Sequence, residues 1–480
     1  MKHFYSFDTG ILNHNECSNV ALSYAPFRKE ETVLFRESYF AEPSVPWEAR
    51  FDNGYPNVFW NPLIGKYVCY HTLCTKDDVS TSTPLTERAA KRYIPSSERI
   101  TSLAYLESED GLHWERPDLG LVSFQGNTHN NLLIEYCHGA GVFYDEAETD
   151  PEKKFKLAAK FDDLERMASC FSADGIHWSK PHPWNHNPAG DTLNCVFRDK
   201  KDGRFKCITR IWKGSLRIPA VTESEDFLTW SEPVECGRGE GPGAQIYSMP
   251  VLQLDGMYLG FASLFHEGDR MAERFDTVNV DLRYSPDLHY FQKCVWEDGA
   301  VFIENGPGQY PDGAPDAGCV YASLPVEIDG RYYIYYMGGN GHHTDFRETS
   351  MLRGSVEKDR FTHFHAKRPG ADALLRSSNL RFSGEELYLD MDAEEDFRME
   401  AVMVTSDPQK VRGSVIEGYE GRVVRQEDNP RLWRIVFDNS LAALEGRFNA
   451  LRLTFRGAKI YGILGDFTPD SVRYNGGVIL

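Results

Sequence analysis

Ser108–Trp114 reads S-E-D-G-L-H-W, and the chain repeats it. The stretch returns as S-A-D-G-I-H-W at Ser172–Trp178 and as S-E-D-F-L-T-W at Ser224–Trp230. Weaker copies are S-P-D-L-H-Y-F at Ser285–Phe291 and S-V-E-K-D-R-F from Ser355. Copies roughly 50 to 70 residues apart mark a repeat architecture, in which each unit is one supersecondary block unable to bury its apolar face alone. Within the motif, Asp-Gly reverses the chain tightly, and the aromatic residue that follows opens the returning strand and packs inward.

Each interval carries a second hairpin. These are Asn57–Tyr70, Gly141–Glu146 with Lys154–Lys160, Asn194–Ile208, Met249–Phe261 and Leu324–Tyr336. Each is a short apolar strand, an acidic or glycine turn and a second β-rich strand. Two hairpins per unit make a four-stranded antiparallel sheet, and five units predict an all-β chain whose residues 1–370 form a five-bladed β-propeller. An array of two-sheet sandwiches would use the same strands. The first 45 residues lack a strong pattern and are expected to wrap the propeller edge. Lys76–Glu98, rich in Ser, Thr and Pro, reads as a long insertion loop in the first unit.

Beyond residue 370 the repeat stops. Short strands at Glu386–Met391, Phe397–Val404, Arg431–Phe437 and Ala450–Ile463 predict a separate β-sandwich over 371–480. Ser440–Phe448 reads as one helical turn closed by Gly446. Length alone suggests about three domains, and the repeat reduces that to two.

Composition narrows the function. The chain has 480 residues with 52 Lys+Arg against 72 Asp+Glu, a net charge of −20. That balance argues against a nucleic-acid partner, which needs clustered cations. The chain contains no apolar run of the roughly 18 residues a membrane span requires, and M-K-H-F-Y-S-F-D-T-G lacks the apolar stretch of a secretory signal. The 10 Cys residues are scattered without a disulfide or zinc spacing, so a cytoplasmic protein with free thiols is expected. Neither metal nor cofactor is expected, and homo-oligomerisation stays open.

A propeller converges the starts of its innermost strands, and the ends of its second strands, on one mouth. Carboxylates far apart in sequence can meet there, and glycosidic cleavage needs two of them. Asp52 opens the first unit in R-F-D-N-G-Y-P-N (Arg50–Asn57), and Asp191 opens the third in G-D-T-L-N (Gly190–Asn194). The architecture and these two positions resemble the invertase and levanase class, family 32 of the glycoside hydrolases. The resemblance implies Asp52 as nucleophile and Asp191 as the carboxylate that binds hydroxyls and stabilises charge. Where that class has a Glu-Cys pair supplying the general acid, this chain has Q-I-Y-S-M-P-V (Gln245–Val251), with no carboxylate. Glu267 is the first choice for the acid, with Asp316, Glu240 and the histidines His266 and His342 as alternatives.

Asn57, Asn194, Arg210, Tyr247, His266, Asp316 and His342 are the expected substrate ligands. His71 and His343 also end second strands. Trp60, Trp212 and Tyr247 offer stacking faces for a sugar. The expected activity is that of a glycoside hydrolase or transglycosidase on a furanoside or fructoside-like bond. A glycoside phosphorylase, which would need a basic phosphate pocket, and a non-catalytic sugar-binding propeller are the alternatives.

Overall fold

The computed structural model describes residues 1–37, 45–297, 299–444, 446 and 448–470. It is built mostly of strands and divides into two compact units. One comprises Phe27–Lys293 and Val301–Ser355, the other Met1–Pro26, Cys294–Ala300 and Val356–Leu480. The sequence boundary at 370/371 therefore shifts. Residues 356–370 and the first 26 residues belong with the C-terminal strands, while 471–480 lie outside the described residues. Among the described residues, no helix is long and apolar enough to cross a membrane.

The larger unit holds five antiparallel sheets in chain order, of which the fourth and fifth are joined into one eleven-stranded set by a single parallel pairing, Val278 with Cys319. The first is Asn57–Asn61, Lys66–Lys76, Ile100–Ser108 and Leu132–Glu135. The second is Cys137–Tyr144, Phe155–Phe161, Arg166–Ser172 and His182–Pro183, and the third is Cys195–Arg198, Phe205–Lys213, Leu216–Ser224 and Val234–Glu235. In the fourth, Gln245–Ser248 and Val251–Leu254 share the edge of Met257–Phe265, followed by Val278–Ser285 and Gln292–Lys293. In the fifth, Cys319–Ala322 and Val326–Ile328 share the edge of Arg331–Gly339, which neighbours Thr349–Glu357. Its outer strands come from the other end of the chain. Arg28 and Lys29 pair with Ser355 and Gly354, and Phe35 and Arg36 with Met351 and Ser350. The N-terminal segment is thus not a wrapping: residues 28–36 complete a sheet. Residues 38–44 lie outside the described residues.

The repeated motif sits between the third and fourth strands. In each of four copies the Ser hydroxyl donates to the Asp carboxylate, as in Ser108–Asp110 at 3.1 Å and Ser172–Asp174 at 3.0 Å. Three of the Asp residues, 110, 174 and 226, also accept the backbone N–H groups two and three residues on. The turn is therefore an Asx-type cap rather than a bare Asp-Gly hairpin. The residue after the Asp takes a left-handed φ in every copy: Gly111 +71°, Gly175 +80°, Phe227 +64° and Leu288 +67°. Glycine suits that conformation in two copies, and the Asp and Ser bonds hold it in the other two.

Each sheet packs on the next. Tyr70 and Leu103 of the first share a core with Val142 and Leu157 of the second. Ala158 and Met167 meet Val196 and Phe205, and Cys195 and Ile208 meet Val251 and Leu264. Val278 pairs with Cys319 between the fourth and fifth sheets. The fifth then packs on the first: Tyr335 and Met351 share a core with Val58 and Leu106, and the Tyr335 hydroxyl donates to the Gly111 carbonyl at 3.0 Å. One cavity of about 440 Å³ is lined by the innermost strands or adjoining loops of all five sheets, through Val58, Val142, Val196, Pro250 and Val326. The insertion Lys76–Glu98 lies between the second and third strands of the first sheet and forms two short helices, Asp78–Ser82 and Leu85–Arg88.

The smaller unit is one hydrogen-bonded set of strands. Ala373–Thr405 and Asn449–Asp470 pair along most of their lengths, with Val415–Arg425 and Leu432–Val436 beyond them. Lys2–Tyr5 and Val20–Tyr24 add to the same set. Its core includes Leu375, Leu389, Met403, Leu451, Leu453 and Phe467. Leu441–Ala443 form a short 3₁₀ turn; Glu445 and Arg447, within the expected Ser440–Phe448 turn, lie outside the described residues.

Candidate active site

The turn that carries Asp52 is strained. Asp52, Gly54 and Tyr55 have φ of +54°, +68° and +41° within four residues. A side chain at Gly54 would collide with Met337, so the glycine is needed for that packing. Strain of this kind persists only where the surroundings fix it, and here three guanidiniums do. Arg347 Nη2 donates to Asp52 Oδ1 at 2.9 Å, with Arg50 Nε at 3.4 Å and Arg99 Nη1 at 3.5 Å. Burial alone would raise the Asp52 pKa, but Arg99, Arg347 and Arg50 outweigh it and hold the carboxyl well below the usual range. Asp52 is a permanent negative charge and a weak proton acceptor.

Asp191 differs. Its Oδ2 lies 3.1 Å from Arg210 Nη1, its Oδ1 accepts no hydrogen bond, and the side chain is 45% exposed. Arg210 is 3% exposed; it also donates to the Asp191 carbonyl at 2.9 Å and the Tyr247 carbonyl at 2.5 Å. The buried arginine therefore fixes the start of the third sheet, and Asp191 Oδ1 is a buried acceptor without a donor.

His138 stands beside Tyr55. Asp52 and Asp191 both act on it electrostatically, and its ring meets Tyr55 edge-on at 5.7 Å. Burial lowers its pKa, against the pull of Asp162, so the ring is a neutral imidazole at pH 7. Around these groups Tyr55, Tyr247 and Tyr321 pack edge-to-face at 6.2 and 5.9 Å. Asn53 Nδ2 donates to the hydroxyls of Tyr55 and Tyr247 at 2.9 and 3.1 Å. His343 lies 4.6 Å from the Tyr247 ring and hydrogen-bonds Tyr321 at 2.5 Å. Its pKa falls well below the ordinary value, first through burial and then through Arg347.

Glu267 reaches this cluster through Arg217. Its Oε2 accepts from Arg217 Nη1 and Gln245 Nε2, both at 2.8 Å, and the side chain is half-exposed. The Arg217 guanidinium stands over the rings of Trp212, Tyr247 and Phe265 at 5.0, 5.5 and 5.0 Å. Trp212 is exposed at this rim.

Several expected ligands are held elsewhere. Asn57 donates to the carbonyls of Tyr55, Tyr70 and Ala140 and accepts from Val142 N–H, bridging the first and second sheets. Asn194 does the same between the second and third, donating to the carbonyls of Gly139, Gly190 and Thr192 and accepting from Thr209. Both amides are fully used in packing, which corrects their assignment as sugar ligands. Asp316 is buried in an ion pair with Lys29 at 2.6 Å and a bond from Tyr336 at 3.0 Å. Glu240 is paired with Lys293 and, at 3.7 Å, with Arg283. Burial favours its proton, but these cations keep its pKa lowered. His266 bonds Asn279 at 3.1 Å and its charged neighbours are Arg274, Glu240 and Glu304. His342 Nδ1 lies 4.0 Å from Asp276; its neighbour His343 occupies the cluster instead.

His71 is not at the mouth either. It is fully buried against Phe35 and Phe51, with neither ring nitrogen hydrogen-bonded, and burial lowers its pKa to about 3. Beside it, Glu37 accepts from Phe51 N–H at 2.6 Å, and burial pushes its carboxyl up to about 8. The folded state thus holds a proton on Glu37 that the unfolded chain releases near 4.5, so this contribution is complete below 4.5 and fades as pH rises through 8. His71 acts oppositely, weakening the fold as pH drops below about 6.5 towards 3. Glu37→Gln is expected to flatten the fall in Tm between pH 5 and 8, a gain of a few kcal/mol at pH 8. A Tm–pH curve identical to the parent's would refute this.

No protein-family model and no curated protein matches this chain. Among solved structures, the chain is similar to a glycosyl hydrolase from Bacteroides ovatus, at 13% identity and a TM-score of 0.45, over 71% of this chain and 95% of that one. A structure from the GH130 family of mannoside phosphorylases, which contains glycoside hydrolases that target β-1,2 mannosidic linkages, shows 15% identity and a TM-score of 0.42 over 69% and 94%. An N-acetylgalactosamine deacetylase from F. plautii shows 16% and 0.42 over 71% and 96%. The likeness is not specific to the invertase and levanase class, and at these values it assigns neither activity nor substrate.

Proposed function

We propose that the five sheets close into a five-bladed β-propeller, that the smaller unit is a β-sandwich, and that the mouth around His138 cleaves a glycosidic bond. Closure is supported by the contact of fifth sheet on first and by the cavity that all five sheets line. The observation that carries the function is that Asp52 and Asp191, from different sheets, are tied to one tyrosine cluster: Asn53, beside Asp52, donates to the Tyr55 and Tyr247 hydroxyls, and Arg210, which holds Asp191, donates to the Tyr247 carbonyl. Asp52 supplies the fixed charge that faces the oxocarbenium-like carbon, the role an ionised carboxylate fills best. Asp191, whose side chain is 45% exposed, takes the proton of the attacking water. Glu267, held by Arg217 through one oxygen only, gives the proton to the leaving oxygen. The free thiols, every one but Cys17 buried, support the reading of a reducing compartment.

One observation favours a phosphate-dependent variant. Five guanidiniums, those of Arg50, Arg99, Arg210, Arg217 and Arg347, pair with three carboxylates, Asp52, Asp191 and Glu267, a local concentration of cations in a chain of net charge −20. Such a field suits phosphate as the attacking group. The test is a panel of aryl furanosides, aryl pyranosides and fructans assayed with and without 10 mM inorganic phosphate. Cleavage without phosphate supports hydrolysis, and release of a sugar phosphate only when phosphate is present supports phosphorolysis. Binding without cleavage of any member under both conditions would defeat both.

A further inference from the structure

We propose that a cavity of about 540 Å³ beside His342 is a second saccharide subsite, which takes a sugar unit beyond the bond being cleaved. This rests on the glycosidic reading above. The cavity is framed by the loop 304–310, the turn 340–346 and the end of the helix Leu85–Arg88. Its volume lies within the range of small-ligand sites.

The chemistry of its wall differs from that of the mouth. Arg274, Lys91 and His342 offer donors, Glu304 and Glu273 offer acceptors, and neither sign dominates. A neutral polyol, whose every hydroxyl both donates and accepts, needs such a mixture, whereas an oxyanion does not. Arg274 and Glu304 pair at 3.5 Å with side chains 41% and 53% exposed, a weak contact that a sugar hydroxyl can replace. Tyr310 is fixed in the wall by the 3.0 Å bond from its hydroxyl to Glu348, which presents a ring for a sugar's C–H face.

The cavity and the mouth share one scaffold. His342 lines the cavity and His343 the mouth, and Arg347 Nη1 donates to the carbonyls of both. The other terminal nitrogen of the same guanidinium holds Asp52 at 2.9 Å. One buried arginine therefore holds the backbone of the cavity wall and a carboxylate of the mouth at once.

The experiment compares kcat/KM on substrates of two, three and four units, using sucrose, 1-kestose and nystose together with α-1,5-arabino-oligosaccharides. In the parent, the three-unit substrate is expected to exceed the two-unit one by about tenfold, and the Arg274→Ala/Glu304→Ala variant to bring that ratio near one. Both residues are on exposed loops, and the ratio is internal to each preparation, so a loss of folded protein does not alter it. Turnover with a parental ratio of one would overturn the subsite while leaving the glycosidic reading intact. A variant that keeps the parental ratio would overturn it as well. No turnover of any panel member, with or without phosphate, would take down both.

Discussion

Asp191→Asn is expected to lower kcat/KM by about a thousandfold, within the 10²–10⁴ range that a positioned proton acceptor contributes. Asparagine keeps the shape and still offers an oxygen to Arg210 Nη1, so the 3.1 Å contact and the start of the third sheet survive. What it lacks is the capacity to take a proton. The side chain is 45% exposed, so the fold should be little affected and Tm should stay within a degree or two of the parent. The fall is expected in kcat more than in KM, because a proton transfer is felt in the transition state and not in binding. A change of less than tenfold would remove Asp191 from the chemistry.

Arg347→Met is expected to cost about 3 kcal/mol of stability, among the largest effects of any single substitution in the larger unit. The guanidinium is 1% exposed and bonds Asp52, Asn53 and the carbonyls of His342 and His343. Methionine fills much of the space but leaves the Asn53 oxygen and two carbonyls without their donor. Asp52 would then rely on Arg50 and Arg99 at 3.4 and 3.5 Å. Those two arginines, and the 20% exposure of Asp52, keep the cost at the lower end of the range for a broken buried pair. Lysine at 347 should recover little, since a single ammonium cannot bond Asp52, Asn53 and both carbonyls in one plane. Chemical denaturation of parent, Met and Lys variants measures this directly, and a loss under 1 kcal/mol for Arg347→Met would contradict the assigned role.

How far the sequence reached depended on whether a feature was local. The Ser-x-Asp turns were legible because Ser108, Asp110 and Gly111 and their copies carry their chemistry within a few residues. The outer strands of the fifth sheet were not, since residues 28–36 pair with 350–355 and nothing near them signals it. Asp52 and Asp191 were visible as acids at the starts of innermost strands. Asn57 and Asn194 occupy the same kind of position and were misread, because a polar side chain there can bridge neighbouring sheets as well as bind a ligand.

The arginines were the larger omission. Arg50 stands beside Asp52 in the quoted motif, but Arg99 and Arg347 reach it from remote strands and loops. His138 was missed because the second sheet's first strand begins at Cys137, four residues before the expected Gly141. In the structure Gly139 packs against Thr192 and Gly141 against Asn194, which sets His138 close to the level of Asp191.

The most direct test of the mouth as the site of glycosidic cleavage is product analysis on one substrate panel by the parent, Asp52→Asn and Asp191→Asn, each confirmed folded. At least one glycoside is expected to be cleaved by the parent, with both variants at least a hundredfold slower on the same bond. Turnover unchanged in both variants would contradict the account.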